Sequence, residues 1–418
     1  MNKIRLSEVA TVELSSIDKK IEASEIPVKL CNFTDVYYNW SITKNVVDAC
    51  MDGSVNDTEY SKFSLKKGQV AITKDSETRD DIGMSTYISE DFDNAVLAYH
   101  CALITPKQGK VNGKYLNALF NDSYGRRYFA NQASGSGQRY TLSKEAIESI
   151  EIPLPSIEKQ NAIGSFFSNI DKKIELNNRI NDNLLHQLKL LYDYWFTQFD
   201  FPDENGKPYK SSGGKMTWNT ELNQFIPQNW QVGNLYQIAD FINGLACQNH
   251  RPQAFEDSLP VIKIKEMHNG ISEDTEKVSS AIPSKYVIND GDILFSWSAS
   301  LEVIFWYGGT GCLNQHIFKV IPKNENTINY VYYQLSRYVD IFKKIAESRK
   351  TTMGHITTDH LQQSKIIIAP QNIINLFESK TQSMRAQIKN ISGETLILRN
   401  MQQFLLPMLM NGQATISD

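Results

Sequence analysis

Residues 150–156 read Ile150-Glu151-Ile152-Pro153-Leu154-Pro155-Ser156, and residues 157–195 continue IEKQNAIGSFFSNIDKKIELNNRINDNLLHQLKLLYDYW. Within this stretch the pattern changes. A short alternating run punctuated by two prolines gives way to apolar residues at a 3/4 spacing: Ile163, Phe167, Ile170, Ile174, Leu184, Leu188, Leu191 and Trp195. Alternation belongs to a strand; the 3/4 spacing belongs to a helix. Ser156 stands where an N-cap is wanted. A stripe this narrow, kept up over several heptads, is the seam of a coiled coil. A helix of about 40 residues would be roughly 60 Å long.

The same switch occurs again further on. Ile366-Ile367-Ile368-Ala369-Pro370 precedes a second seam at Phe377, Met384, Ile388, Ile391, Leu398, Leu405 and Leu409, with Asn372 as the cap candidate. Asn177 and Asn181 interrupt the first seam; Thr381, Thr395 and Gln402 fall on the second. Polar seam residues suit the fixing of helix register.

Working upstream from each proline, further pairs match in the same order. His100-Cys101-Ala102-Leu103-Ile104-Thr105-Pro106-Lys107 has its counterpart in His316-Ile317-Phe318-Lys319-Val320-Ile321-Pro322-Lys323. Leu65-Lys66-Lys67-Gly68-Gln69-Val70 corresponds to Ile288-Asn289-Asp290-Gly291-Asp292-Ile293-Leu294, a glycine turn feeding a strand in both cases. The chain is a duplication with a period of about 215 residues. Between the copies, Phe201-Pro202-Asp203-Glu204-Asn205-Gly206-Lys207-Pro208-Tyr209 and the following Ser/Gly residues predict a linker or exposed turn.

The fold expected is α+β: two mixed α/β domains joined by two long antiparallel helices, with a pseudo-twofold internal repeat. The expected boundaries are 1–153 for the first recognition domain and 154–200 for its helix. A linker covers 201–227, the second recognition domain 228–369 and the second helix 370–412. Two related heads held apart by stiff helices would address two short blocks of a duplex with an unread gap.

Composition limits the alternatives. With 418 residues, 41% apolar and 22% charged, the chain has room for two or three globular domains. The formal net charge of -4 counts against a protein that simply coats DNA. Five cysteines, an odd number with no C-x-x-C pair, argue against a disulfide framework or zinc knuckle and fit a reduced cytoplasmic setting. No signal-like apolar run opens the sequence, and no uninterrupted apolar run is long enough to span a membrane. Asn-Pro-Pro-Tyr, G-x-G-rich, P-loop, H-E-x-x-H and G-x-S-x-G motifs are all missing, so no catalytic centre, metal site or cofactor is expected in this chain.

The order of domains resembles the specificity subunit family of type I restriction-modification systems. The resemblance covers essentially the whole chain. Its most specific pieces are Ile152-Pro153-Leu154-Pro155 with Glu158-Lys159-Gln160, Leu191-Tyr192-Asp193-Tyr194-Trp195-Phe196, Asp200 to Tyr209, and Pro227-Gln228-Asn229-Trp230 followed by Leu235. The first copy lacks the Pro-x-x-Trp start and begins nearer Leu6-Ser7-Glu8-Val9-Ala10.

The resemblance implies a non-catalytic subunit that reads a bipartite double-stranded DNA target in defence against foreign DNA. It implies two methyltransferase subunits that use S-adenosylmethionine to methylate adenine. It also implies restriction subunits that translocate and cut DNA with ATP and Mg. A coiled-coil assembly adaptor without DNA readout of its own is the alternative.

Base reading needs Arg, Lys, Asn, Gln, Ser or Thr on loops. In the first copy the candidates are Lys74, Ser76, Thr78 and Arg79, then Arg126 and Arg127, then Ser136, Gln138, Arg139 and Tyr140. In the second they are Ser296 and Ser298, then Arg349, Lys350, Thr351, Thr352 and His355, which align with the Ser/Gly/Arg loop of the first copy. Trp297 is expected in the core or at its rim. His100 and His316 are expected to be structural, hydrogen-bonded within buried strands.

Overall fold

The computed structural model describes residues 3–136, 139–272, 274–298, 300–324, 327–348 and 356–416. The chain divides into two compact units. Unit 1 is Met1–Leu176 with Ile397–Asp418, and unit 2 is Asn177–Leu396.

In unit 1 the strand Cys101–Pro106 lies between Ala10–Leu14 and Val70–Thr73, antiparallel to both. Ser85–Ile88 adds antiparallel to Val70–Thr73, and Ser41–Ile42 closes the five-stranded sheet. In the two central strands Val70 to Ile72 and Cys101 to Ile104 are apolar without a break because both faces are covered. Val70, Ile72, Ala102 and Ile104 join a cluster with Tyr115, Leu116 and Phe120. Ala71, Cys101 and Leu103, one residue out of phase, enter a separate cluster with Ile42 and Ile88. A second sheet pairs Ile26–Cys31 antiparallel with Met51–Val55 and parallel with Ala95–Leu97. Lys3–Arg5 pairs with Glu151–Pro153 just before the long helix.

Unit 2 repeats this plan. Ile317–Pro322 lies between Ala239–Asn243 and Ile293–Ser296, again antiparallel to both, with Glu302–Phe305 beyond. Ser258–Ile262 pairs antiparallel with Lys277–Ser279 and parallel with Gly311–Leu313. Gln231–Gly233 pairs with Ile366–Ile368 before the second long helix. The duplication read from short sequence matches is therefore a duplication of strand pairing.

The first long helix is Ile157–Tyr192, 36 residues, continued by a π-helical turn at Asp193–Thr197. The second is Gln371–Met410, 40 residues, with Pro407 inside its last turn. Ser156 accepts the Gln160 N–H at 3.0 Å through its main-chain carbonyl. Asn372 does not cap the second helix. It lies one residue inside, and the Pro370 carbonyl accepts the N–H groups of Ile373 and Ile374.

Each unit contains a pairing of early with late helix. In unit 1, Phe167 and Ile170 are buried with Leu406, Leu409 and Met410, while Ile163, Ile174, Leu398 and Leu405 pack partly buried around them. In unit 2, Leu188 and Ile388 are buried together, with Leu184, Leu191 and Met384 against them. Ile391 is partly buried. Tyr192 meets the Phe377 ring at 6.1 Å and Asn177 meets Thr395, so the two helices run in opposite directions there.

The stretch expected as a linker is folded. Asp200 accepts the Ser211 N–H at 2.7 Å and the Ser211 hydroxyl at 2.6 Å. Tyr209 stacks on Phe201 at 4.6 Å, and Phe201 on Trp230 at 5.0 Å. Met216–Asn219 and Gln224–Pro227 form a hairpin. Composition misled here because three aromatic rings and one carboxylate organise a segment otherwise rich in turn residues. All five cysteines are free and buried. Among the described residues no helix is long and apolar enough to cross a membrane.

Candidate nucleic-acid interface

In unit 1 the strand Val70–Thr73 ends at Lys74, whose N–H is donated to the His100 carbonyl at 2.9 Å. The Lys74 carbonyl accepts the Leu142 N–H at 2.7 Å. These two main-chain bonds draw three separate segments together. Asp75–Ser76 becomes the edge of a three-stranded sheet with Arg139–Thr141 and Ser134–Ser136. Two of the candidate loops, Lys74–Arg79 and Ser134–Tyr140, are thus one structure. Gly135, at φ 145°, is needed in that hairpin, because a Cβ there would run into the Arg139 carbonyl.

Beside this sheet opens a cleft of about 600 Å³ lined by Phe33, Tyr37, Tyr38, Asp75, Ser76, Glu77, Thr78, Asp81, His100 and Arg139. Asp75 is buried, and His100 Nδ1 lies 2.9 Å from its Oδ2. Lys74 Nζ and Arg139 Nη2 stand 3.5 and 3.6 Å from the same oxygen. Burial alone would raise the Asp75 pKa. Hydrogen bonds from His100 and Thr141 and the charges of Lys74 and Arg139 outweigh it and hold the carboxyl below its usual value. Asp81 accepts from Tyr37 at 2.8 Å and from Thr78 at 2.9 Å, which fixes the outer loop.

The candidate residues divide by where they point. Thr78, Arg79, Arg127 and Arg139 are exposed, and Tyr140 and Ser76 are partly so. Arg79 lies over the Tyr140 ring at 5.4 Å. Lys74 is turned inward, its ammonium over the Tyr99 ring at 4.8 Å and its side chain 12% exposed. Arg126 donates to the Asp80 carbonyl at 2.6 Å and is partly buried, so it ties down the loop behind the cleft rather than reaching outward. Ser136 ends a strand, and Gln138 lies outside the described residues. His100 is not a buried structural residue: half-exposed, it stands at the cleft. The sequence reading missed it together with Tyr37, Asp75, Asp81 and Tyr99. Their signal lay only in tertiary proximity, since no local spacing links them.

Unit 2 has the same frame with different side chains. The Trp297 N–H is donated to the His316 carbonyl at 3.3 Å, and the Trp297 carbonyl accepts the Ile356 N–H at 3.2 Å. Trp297 thus stands where Lys74 stands in unit 1, His316 where His100 stands, and Ile356 where Leu142 stands. Trp297 Nε1 donates to Asn243 Oδ1 at 3.1 Å. Ser296 and Ser298, expected as DNA contacts, are buried, and the Ser296 hydroxyl is donated to the Ser300 carbonyl. Arg349, Lys350, Thr351, Thr352 and His355 lie outside the described residues. Among the described residues no cluster of three or more His, Cys, Asp or Glu could hold a metal ion.

Residues 1–186 and 227–388 match the family described as the type I restriction modification DNA specificity domain. The type I restriction enzyme HindI specificity subunit of Haemophilus influenzae is 23% identical over 419 residues, covering 87% of this chain and 90% of that one. The MjaIX specificity subunit of Methanocaldococcus jannaschii is 26% identical over 332 residues, covering 75% and 72%. In fold, the chain is similar to the crystal structure of a type I restriction-modification system S subunit from M. genitalium. The TM-score is 0.55 at 12% identity, with 98% of this chain and 95% of that one covered. With two copies of the domain spanning most of its length, the chain belongs to the type I restriction-modification DNA specificity family.

Proposed function

We propose that this specificity subunit reads a split double-stranded DNA target, one half through each unit, and docks two methyltransferase subunits. The observation that carries the reading is the shared frame. Lys74 and Trp297 sit at matched main-chain positions beside His100 and His316, and each accepts a main-chain N–H, from Leu142 or Ile356, that follows a donor-rich stretch of sequence. A duplicated scaffold with different side chains at the same place suits two different base sequences.

In unit 1 the contacts come from Ser76, Thr78, Arg79, Arg139 and Tyr140, with Arg127 on phosphate. In unit 2 they come from residues 349–355. The chemistry belongs to the partners: adenine methylation with S-adenosylmethionine in the methyltransferase subunits, and ATP- and Mg-dependent cleavage in the restriction subunits. The assembly works in the cytoplasm.

The test is an exchange of residues 1–153 for the matching segment of another family member, followed by mapping of methylated adenines in host DNA. One half of the target should change while the other half stays. A change in both halves, or in neither, overturns the reading.

A further inference from the structure

We propose that Arg139 is a guanine reader held ready by Asp75, His100 and Tyr99, and that Asp75 is its positioning residue. This rests on unit 1 being a DNA recognition domain. Arg139 Nη2 lies 3.2 Å from the Tyr99 hydroxyl, 2.9 Å from His100 Nδ1 and 3.6 Å from Asp75 Oδ2. The guanidinium also lies 5.9 Å from the centre of the Tyr99 ring. One ring nitrogen cannot donate to Asp75 and accept from Arg139 together. Donation to Asp75 satisfies the carboxylate and leaves Nη2 to the Tyr99 hydroxyl and the Asp75 charge.

The polar contacts all engage Nη2, the nitrogen that both forks of the guanidinium share. Nη2 carries two N–H groups; with one given to the Tyr99 hydroxyl, the other is left to complete a fork with Nε or Nη1, which have no partner among the described residues. The side chain is 53% exposed at the mouth of the cleft. What remains is a planar fork with its orientation already set. Guanine O6 and N7 offer the matching pair of acceptors in the major groove.

A phosphate is the other acceptor an arginine meets. Its claim is weaker here, because Asp75, Glu77 and Asp81 set three carboxylates at the cleft against the charges of Arg139 and Lys74. Three carboxylates repel a phosphate, whereas a neutral base edge meets no such penalty. What the braced arginine retains is direction, which is the property that discriminates bases. The matched site in unit 2 has Ser298 after Trp297 in place of Asp75 after Lys74, so this device belongs to one half of the target only.

The experiment uses the chain assembled with its methyltransferase subunits and a duplex bearing the target found by methylation mapping. Each guanine in the half assigned to unit 1 is replaced in turn by 7-deazaguanine, which lacks the N7 acceptor. Wild type should lose about tenfold or more in affinity at one such position. Arg139→Ala should bind the normal and the substituted duplex equally. Arg139→Lys, which keeps the charge and a donor but not the planar fork, should keep only part of the 7-deazaguanine penalty. Asp75→Asn should keep non-specific binding and lose most of the discrimination at that same position.

The proposal is overturned if no guanine in that half is sensitive. It is also overturned if the 7-deazaguanine penalty persists in Arg139→Ala, or if Asp75→Asn leaves it intact. The wild-type measurement needs no variant to fold. Failure of the domain exchange, by contrast, would remove the broader reading whatever the arginine does.

Discussion

Asn177 donates its side-chain amide to the Glu394 carboxylate at 2.9 Å and reaches the Thr395 hydroxyl at 3.3 Å, joining two helices 217 positions apart in the chain. Asn181 reaches the Ser392 hydroxyl at 3.0 Å. Polar residues that interrupt one seam thus meet polar residues on the other. Any shift of one helix along the other would leave these groups without partners in a largely dry interface, a penalty the correct alignment avoids.

Asn177→Ala should therefore lower stability by about 1–2 kcal/mol in denaturant unfolding. Combined with Thr395→Val, the loss should fall short of the sum of the two single losses by about 0.5 kcal/mol or more. Strict additivity would show that the pair is not coupled.

Asp171, on the first long helix, accepts a hydrogen bond from Ser41 and has its pKa raised to about 6. Burial is the main cause; the Glu175 charge adds to it and the Ser41 bond works against it. The folded state holds the proton more tightly than the unfolded chain. The contribution is therefore full below the ordinary carboxyl range and is lost as pH rises through about 6. Asp171→Asn should gain stability over wild type at pH 8 relative to pH 4, on the order of 1–3 kcal/mol. Thermal midpoints at the two pH values check it; a larger gain at pH 4 would reverse the sign.

Gly135→Ala tests whether the hairpin carries recognition. Its φ of 145° and the approach of the Arg139 carbonyl leave no room for a methyl group. The hairpin should shift while the cores of unit 1, built from other segments, persist. Affinity for the cognate duplex should drop at least tenfold, with a thermal midpoint within a few degrees of wild type. Unchanged cognate binding would detach this hairpin from the DNA.

Ser296→Ala separates an inward serine from a DNA contact. Losing the bond to the Ser300 carbonyl should lower stability by about 1 kcal/mol and leave cognate affinity within twofold. A selective loss of affinity at normal stability would return Ser296 to the interface.

The seams and the matched strands were legible in the sequence because both rest on periodicity. Leu188 and Ile388 are buried at the positions the 3/4 spacing marks, and Val70 to Ile72 and Ile293 to Phe295 are buried as apolar runs should be. The cleft was much less legible. Asp75, Tyr99, His100 and Arg139 come from three places and meet only after the sheet forms. Residue type also says little about direction. Ser296 and Lys74 are donors by type, yet both side chains turn inward. Ser211 and Tyr209 look like turn residues until Asp200 and Phe201 are placed beside them.

The joint at Lys74 and Trp297 is made by peptide groups alone: one N–H out, one carbonyl back. No side chain is needed to close it, so an ammonium in one copy and an indole in the other are equally admissible. Mutation can revise the side chains around such a socket while its hinges stay shut. A lineage meeting unfamiliar invading DNA could thus acquire a new recognition word without first having to rebuild the fold that pronounces it.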